Sequence, residues 1–183
     1  MLTGYFFFFL DPEGRNKLLI FVCISREIIM AKIRVTKEFH FEMAHALWNY
    51  DGPCRNIHGH SYKLQVTVIG VPEKDPEAIK QGMVIDFGIL KNIVKKTVVD
   101  RFDHSVVVNS QAPHEFLKQV EQMFDRVEIL PYQPTCENLV TDFAGRIREK
   151  LPDGVLLHHI TLQETESSWA SWYAGDNGLL KTE

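Results

Sequence analysis

The chain has little that would tie it to a membrane, a nucleic acid or an oxidising compartment. Its cysteines number three, Cys23, Cys54 and Cys136, too few and too odd a set for a disulfide framework, so a reducing cytoplasmic setting fits best. No apolar run approaches the roughly 20 residues that span a bilayer. Charges of both signs are interspersed, with a net charge of −4. Without a basic block there is no footprint for nucleic acid, although a local basic pocket for a phosphorylated small molecule stays open. Low-complexity tracts and repeats of solenoid period are also absent. What is present is 183 residues with 45% hydrophobic content, enough for one domain with a real core.

Residues 1–29 stand apart. Two short apolar runs, Tyr5 to Leu10 and Leu18 to Ile24, flank the polar stretch from Asp11 to Lys17. As a secretory signal the segment is poor, because an apolar block precedes the basic residues and no small-residue cleavage site follows. Met30-Ala31-Lys32 then reads as a fresh start. The expectation is a non-native, poorly ordered extension over 1–29, with a membrane anchor as its rival, and a single catalytic domain over 30–183.

Within that domain Ile33 to Ala44 and Tyr62 to Gly70 alternate as strands. Met83 to Ile85 reads as a short strand, and Asp86 as the N-cap of a helix bearing Leu90, Ile93, Val94, Thr97 and Val98 on one side. Phe102 to Val108 reads as a short strand or turn-to-strand passage. Pro113 can open a middle helix with Phe116, Leu117, Val120 and Phe124 on its buried side. Thr135 caps a further helix to about Leu151, and Val155 to about Thr165 forms the last strand. The pattern predicts an α+β domain with antiparallel strands and helices to one side.

The chemistry concentrates in Cys54-Arg-Asn-Ile-His58-Gly-His60 and in His45, which ends Phe39-His-Phe-Glu-Met-Ala-His45. An H-x-H pair on a strand points both imidazoles to one face. A third histidine on a neighbouring strand completes a three-nitrogen site, and three protein ligands with one open position is the arrangement of catalytic zinc. Gly59 allows a substrate or another backbone to approach. Cys54, after a Gly-Pro loop and before Arg55, is positioned to be a proton-transferring thiol, against the usual fate of a free cysteine as a small buried hydrophobe. Asp103-His104 is a carboxylate beside a histidine, but strand neighbours point to opposite faces, so their contact requires a turn. Glu164 sits on an otherwise apolar strand. A buried carboxylate needs a partner, and a flat heterocycle with two parallel N–H donors is one. Its bland reading is a strand-edge residue in water. Thr135 and Glu137 serve as helix cap and first-turn acid, and are also candidate substrate contacts.

Taken in order, Phe41-x-x-Ala44-His45, Cys54-x-x-x-His58-Gly-His60, Gly82-Met-Val-Ile-Asp86-Phe87, Asp103-His104, Pro134-Thr-x-Glu-Asn138 and Glu164-Thr165 resemble the 6-pyruvoyltetrahydropterin synthase superfamily over about Met30 to Tyr173. The resemblance implies a tunnelling fold, a four-stranded antiparallel sheet with helices on one face. Trimers of such subunits close a barrel and pair as a homohexamer, with active sites between subunits. It implies zinc at His45, His58 and His60, catalytic groups at Cys54, Asp103 and His104, and a pterin-anchoring Glu164. The short spacing from Cys54 to the HGH run resembles the branch of 6-carboxytetrahydropterin synthases in queuosine biosynthesis. That implies conversion of 7,8-dihydroneopterin triphosphate to 6-carboxy-5,6,7,8-tetrahydropterin, acetaldehyde and triphosphate. Two alternatives are 6-pyruvoyltetrahydropterin synthase activity on the same substrate and a non-catalytic, zinc-stabilised pterin-binding module. The stretch between Asn109 and Pro134 is longer than in compact relatives, and either reshapes the pocket mouth or covers the outside of a trimer.

Overall fold

The computed structural model describes residues 6–10, 16–20 and 31–180. Two units divide after Ala31. In the first, strands β1 (Phe6–Leu10) and β2 (Asn16–Ile20) pair antiparallel. The remainder of the expected extension over 1–29 lies outside the described residues.

The second unit is built on one sheet. Strands β3 (Ile33–His45), β4 (His58–Gly70), β5 (Ser105–Asn109), β6 (Val127–Leu130), β7 (Val155–Thr165) and β8 (Ser168–Tyr173) lie in the order β6-β5-β3-β4-β7-β8. The four strands β3, β4, β7 and β8 run antiparallel, each to the next. The expected four-stranded sheet is therefore present as a core, but β5 and β6 extend it in parallel to six strands.

Alternation decides which face is covered. Phe39, Phe41 and Met43 on β3 are buried with Tyr62, Leu64, Val66 and Val68 on β4 and Ile160 and Leu162 on β7. Helix α1 begins at Phe87–Val94, continues through a π-helical stretch Lys95–Val99 and ends at Asp100–Phe102. Asp86 caps it by accepting from Gly88 N at 2.6 Å. Helix α3 (Cys136–Arg148) packs beside it with Leu139, Phe143 and Ile147 inside. Both helices lay period-3.6 stripes on the period-2 face of the sheet.

Two expectations need correction. Residues 83–85 form no strand, and Val84 and Ile85 lie in a bend. Helix α2 (His114–Met123) buries only Val120, and Phe124 is exposed. With a single residue inside, α2 rests on the periphery. The long stretch after Asn109 supplies α2 and the edge strand β6. Strand β8 follows β7 through the two residues Glu166 and Ser167, a turn that carries none of the Gly or Asn signals by which hairpins are recognised.

Candidate metal centre

The end of β3 and the start of β4 bring three imidazoles together. In the antiparallel register His45 pairs with His58, and Met43 with His60. All three rings therefore leave the sheet on one face, the face that also carries Tyr62. One ring nitrogen from each of His45, His58 and His60 lies within 4.8 Å of the others. Gly59 fits between them because of backbone: a Cβ there would stand 3.3 Å from Met43 O.

Hydrogen bonds fix two of the tautomers. His45 Nδ1 faces Pro134 O at 2.7 Å and His58 Nδ1 faces Asn56 O at 2.8 Å. A carbonyl only accepts, so each Nδ1 carries the proton and each Nε2 presents a lone pair. Such outer hydrogen bonds are how proteins orient metal-binding histidines. His45 is 3% exposed and its Nε2 has no hydrogen-bond partner. Burial pushes its pKa down, which keeps the ring neutral. An orphaned buried acceptor costs free energy unless something satisfies it.

The neighbour of that nitrogen sharpens the point. Glu164 Oε1 lies 3.6 Å from His45 Nε2. A lone pair facing a carboxylate oxygen is repulsive unless a cation or a donor joins them. The residues present therefore fit a divalent metal. The Glu164 carboxylate is partly buried and accepts from Tyr62 Oη at 2.9 Å. Tyr62 is fully buried, and its phenol pKa is raised by burial first and by Glu164 second. The roles of Pro134 and Tyr62 are not legible in the sequence, because Pro134 acts through its carbonyl and Tyr62 reads as an ordinary apolar position of an alternating strand.

Cys54 sits half-buried in a 3₁₀ turn, Pro53–Arg55, between the two strands that carry the histidine triad. The turn is tied back by Leu47 N donating to Cys54 O at 2.9 Å. Trp48 next to it is clamped by Gln133, whose Oε1 accepts from Trp48 N at 3.0 Å while its Nε2 donates to Trp48 O. Arg55 of the same turn lines a cavity of about 260 Å³ with Trp48, Asn109 and Phe116, so the long stretch after Asn109 does shape the surface beside the Cys54 turn.

Asp103 and His104 do reach each other: His104 Nδ1 lies 2.9 Å from Asp103 Oδ1. The turn that this requires is a left-handed backbone at His104, with φ of 58°. Both residues are anchored to β3, since Glu42 N donates to Asp103 Oδ1 and His104 N to Glu42 O. No hydrogen bond or ion pair among the described residues joins this pair to the histidine triad. His104 is 72% exposed and opens on a cavity of about 370 Å³ with Glu42, Gly59, His60 and Ser61.

Thr135 caps α3 by accepting from Asn138 N at 3.3 Å, and Glu137 is exposed in its first turn. Cys136 between them is buried and donates to Leu162 O at 3.2 Å. No helix among the described residues is long and apolar enough to cross a membrane.

A family model described as 6-pyruvoyl tetrahydropterin synthase matches residues 34–175. The 6-carboxy-5,6,7,8-tetrahydropterin synthase of Haemophilus influenzae is 33% identical over 141 residues, 76% of this chain and 97% of that protein. A protein of the same name from Synechocystis is 40% identical over 140 residues, 76% and 92% of the two chains. The solved 6-pyruvoyl tetrahydropterin synthase of Caenorhabditis elegans superposes with a TM-score of 0.57, 24% identity, and coverage of 78% of this chain and 96% of that one. At that identity the likeness speaks for the fold.

Proposed function

The chain belongs to the 6-pyruvoyl tetrahydropterin synthase family, and from that premise we propose that it is a zinc-dependent carbon–carbon lyase. Its substrate is 7,8-dihydroneopterin triphosphate, and with one water the products are 6-carboxy-5,6,7,8-tetrahydropterin, acetaldehyde and triphosphate, a step towards queuosine in the cytoplasm. The observation that carries this reading is the pairing of an all-imidazole triad with a carboxylate 3.6 Å from one of its nitrogens. The first suits a metal with an open position, and the second suits a heterocycle with paired N–H donors. The names of the Haemophilus and Synechocystis relatives support this reaction over its alternatives.

His45, His58 and His60 hold the metal in this reading. Zinc there supplies Lewis-acid polarisation of the substrate's side-chain oxygens and acidifies the adjacent positions. Cys54 takes and returns protons at the side-chain carbons. His104, oriented by Asp103, is the second acid–base group, supplied from a neighbouring subunit of a homohexamer made of two trimers. Glu164 accepts the ring N–H groups and lays the side chain over the metal, which is the positional share of catalysis. Thr135 and Glu137, at the start of α3 beside Pro134, are further ring contacts.

Incubation of the purified protein with 7,8-dihydroneopterin triphosphate, followed by mass analysis, tests the assignment. The expected result is 6-carboxytetrahydropterin with equimolar acetaldehyde. Triphosphate release without acetaldehyde would replace it with 6-pyruvoyltetrahydropterin synthase activity. No turnover at all, with zinc bound, would leave a pterin-binding module.

A further inference from the structure

A carboxylate that turns both oxygens to the paired N–H donors of a substrate ring has neither free to ligate a metal beside it. Two donors on one tetrahedral zinc, each at about 2.0–2.1 Å, stand roughly 3.3 Å apart. Glu164 Oε1 is 3.6 Å from His45 Nε2, a small rotation away from that separation. Yet Glu164 is not part of the cluster whose donor atoms converge. If it rotated in, the site would hold four protein ligands. That is the closed arrangement of structural zinc, and it would leave no position for substrate.

One hydroxyl stands against that rotation. The register that sets Lys63 opposite Gln163 brings Tyr62 alongside Glu164, and Tyr62 Oη donates to Oε1 at 2.9 Å. The phenol ring cannot follow the carboxylate. It is fully buried, stacked on Phe41 with centroids 5.3 Å apart, and meets the rings of His45 and His60 edge-on at 6.2 and 5.6 Å. The same ring thus abuts two candidate ligands and holds the carboxylate between them and the substrate.

We propose that Tyr62 is a positioning residue that keeps Glu164 off the metal, preserving both the open coordination position and the carboxylate that receives the substrate's ring. The inference rests on the reading of the triad as a zinc centre and of Glu164 as the ring anchor. It has an unusual sign. Loss of an ordinary outer hydrogen bond weakens metal binding, whereas loss of this one strengthens it.

Zinc affinity, measured against a competing chelator, is the test, with circular dichroism reporting the fold. Tyr62→Phe removes the hydroxyl and keeps the ring. It is expected to bind zinc roughly tenfold tighter or more, and Tyr62→Phe/Glu164→Gln to return to the wild-type value. Glu164→Gln alone is expected to leave zinc affinity unchanged. A folded Tyr62→Phe protein with equal or weaker zinc affinity overturns the proposal. So does a Glu164→Gln protein with weakened affinity, because Glu164 would then already be a ligand. Should Tyr62→Phe not fold, Tyr62→Leu, which also removes the hydroxyl, carries the same arm: zinc affinity above that of Tyr62→Leu/Glu164→Gln supports the proposal, and equal or weaker affinity sinks it. The two readings separate cleanly. Wild-type protein that binds zinc but leaves dihydroneopterin triphosphate intact defeats the lyase assignment and not the zinc arm. Turnover with no zinc shift in Tyr62→Phe defeats this inference alone, and a wild-type protein that takes up no zinc defeats both.

Discussion

Cys54 and Cys136 share a side chain and little else. Cys136 is buried against β7 with its thiol donating to Leu162 O, and burial, then the charge of Glu164, push its pKa up to about 12. A thiol so placed is neither a nucleophile nor a proton carrier near neutral pH. Cys54 is half-exposed in a turn between the strands that carry the histidine triad. Iodoacetamide at mildly alkaline pH should therefore modify Cys54 and spare Cys136 in the folded protein, as peptide mapping would show. Cys54→Ala should keep its zinc by metal analysis and lose turnover by about 10²- to 10⁴-fold, the usual weight of a positioned acid–base group. Wild-type turnover in that variant would refute the role. The triad was legible at this scale because strand alternation is geometry: His58 and His60 must share a face. The contact between Asp103 and His104 was not, since it depends on a left-handed backbone at His104, a conformation uncommon for any residue but glycine and not announced by the sequence around it.

Among the elements, β7 was readable to its bounds because Gly154 precedes it and apolar residues fill it, and α3 at its start because Thr135 caps it, although it ends at Arg148 and not at about Leu151. Strand β6 was not. Its four residues form an edge with no alternation long enough to register, and its pairing with β5 is a tertiary outcome. Loops carry the finer part of the site. The turn bearing Cys54 hangs from Leu47, and Trp48 beside it is held at both its backbone N–H and its carbonyl by the Gln133 side chain. Gln133 stands in for a strand there, one residue before the Pro134 carbonyl that orients His45. One side chain thus sets the thiol turn relative to the metal ligands. Gln133→Ala should release the turn while leaving the triad intact. Zinc content should stay at the wild-type level and kcat should fall by roughly ten- to a hundredfold, the scale of an ångström's misplacement. Loss of zinc in a folded Gln133→Ala protein would show instead that the clamp serves His45.

At the scale of the whole molecule, α1 and α3 cover one face of the second unit's sheet. Arg34, Thr36, Glu38, His40 and Glu42 alternate outward on β3 and are exposed, and β6 and β8 are its open edges. Exposed edges are normally blunted, covered or paired, and here pairing between copies would also complete the site. The triad has its own carboxylate and thiol turn, but the Asp103–His104 pair has no bond to it and His104 is 72% exposed. An acid–base pair so open to water does little unless a surface covers it and brings a substrate to it. If that surface is the metal-bearing end of the next subunit, each site draws Cys54 from one chain and His104 from another. Cys54→Ala and His104→Ala should then each be inactive alone yet regain activity when unfolded together and reassembled. With equal, random mixing, a cyclic arrangement restores about one quarter of the sites, because each needs an intact thiol on one side and an intact imidazole on the other. Sites built within single chains would restore none, so the mixed assembly distinguishes the two arrangements by turnover alone.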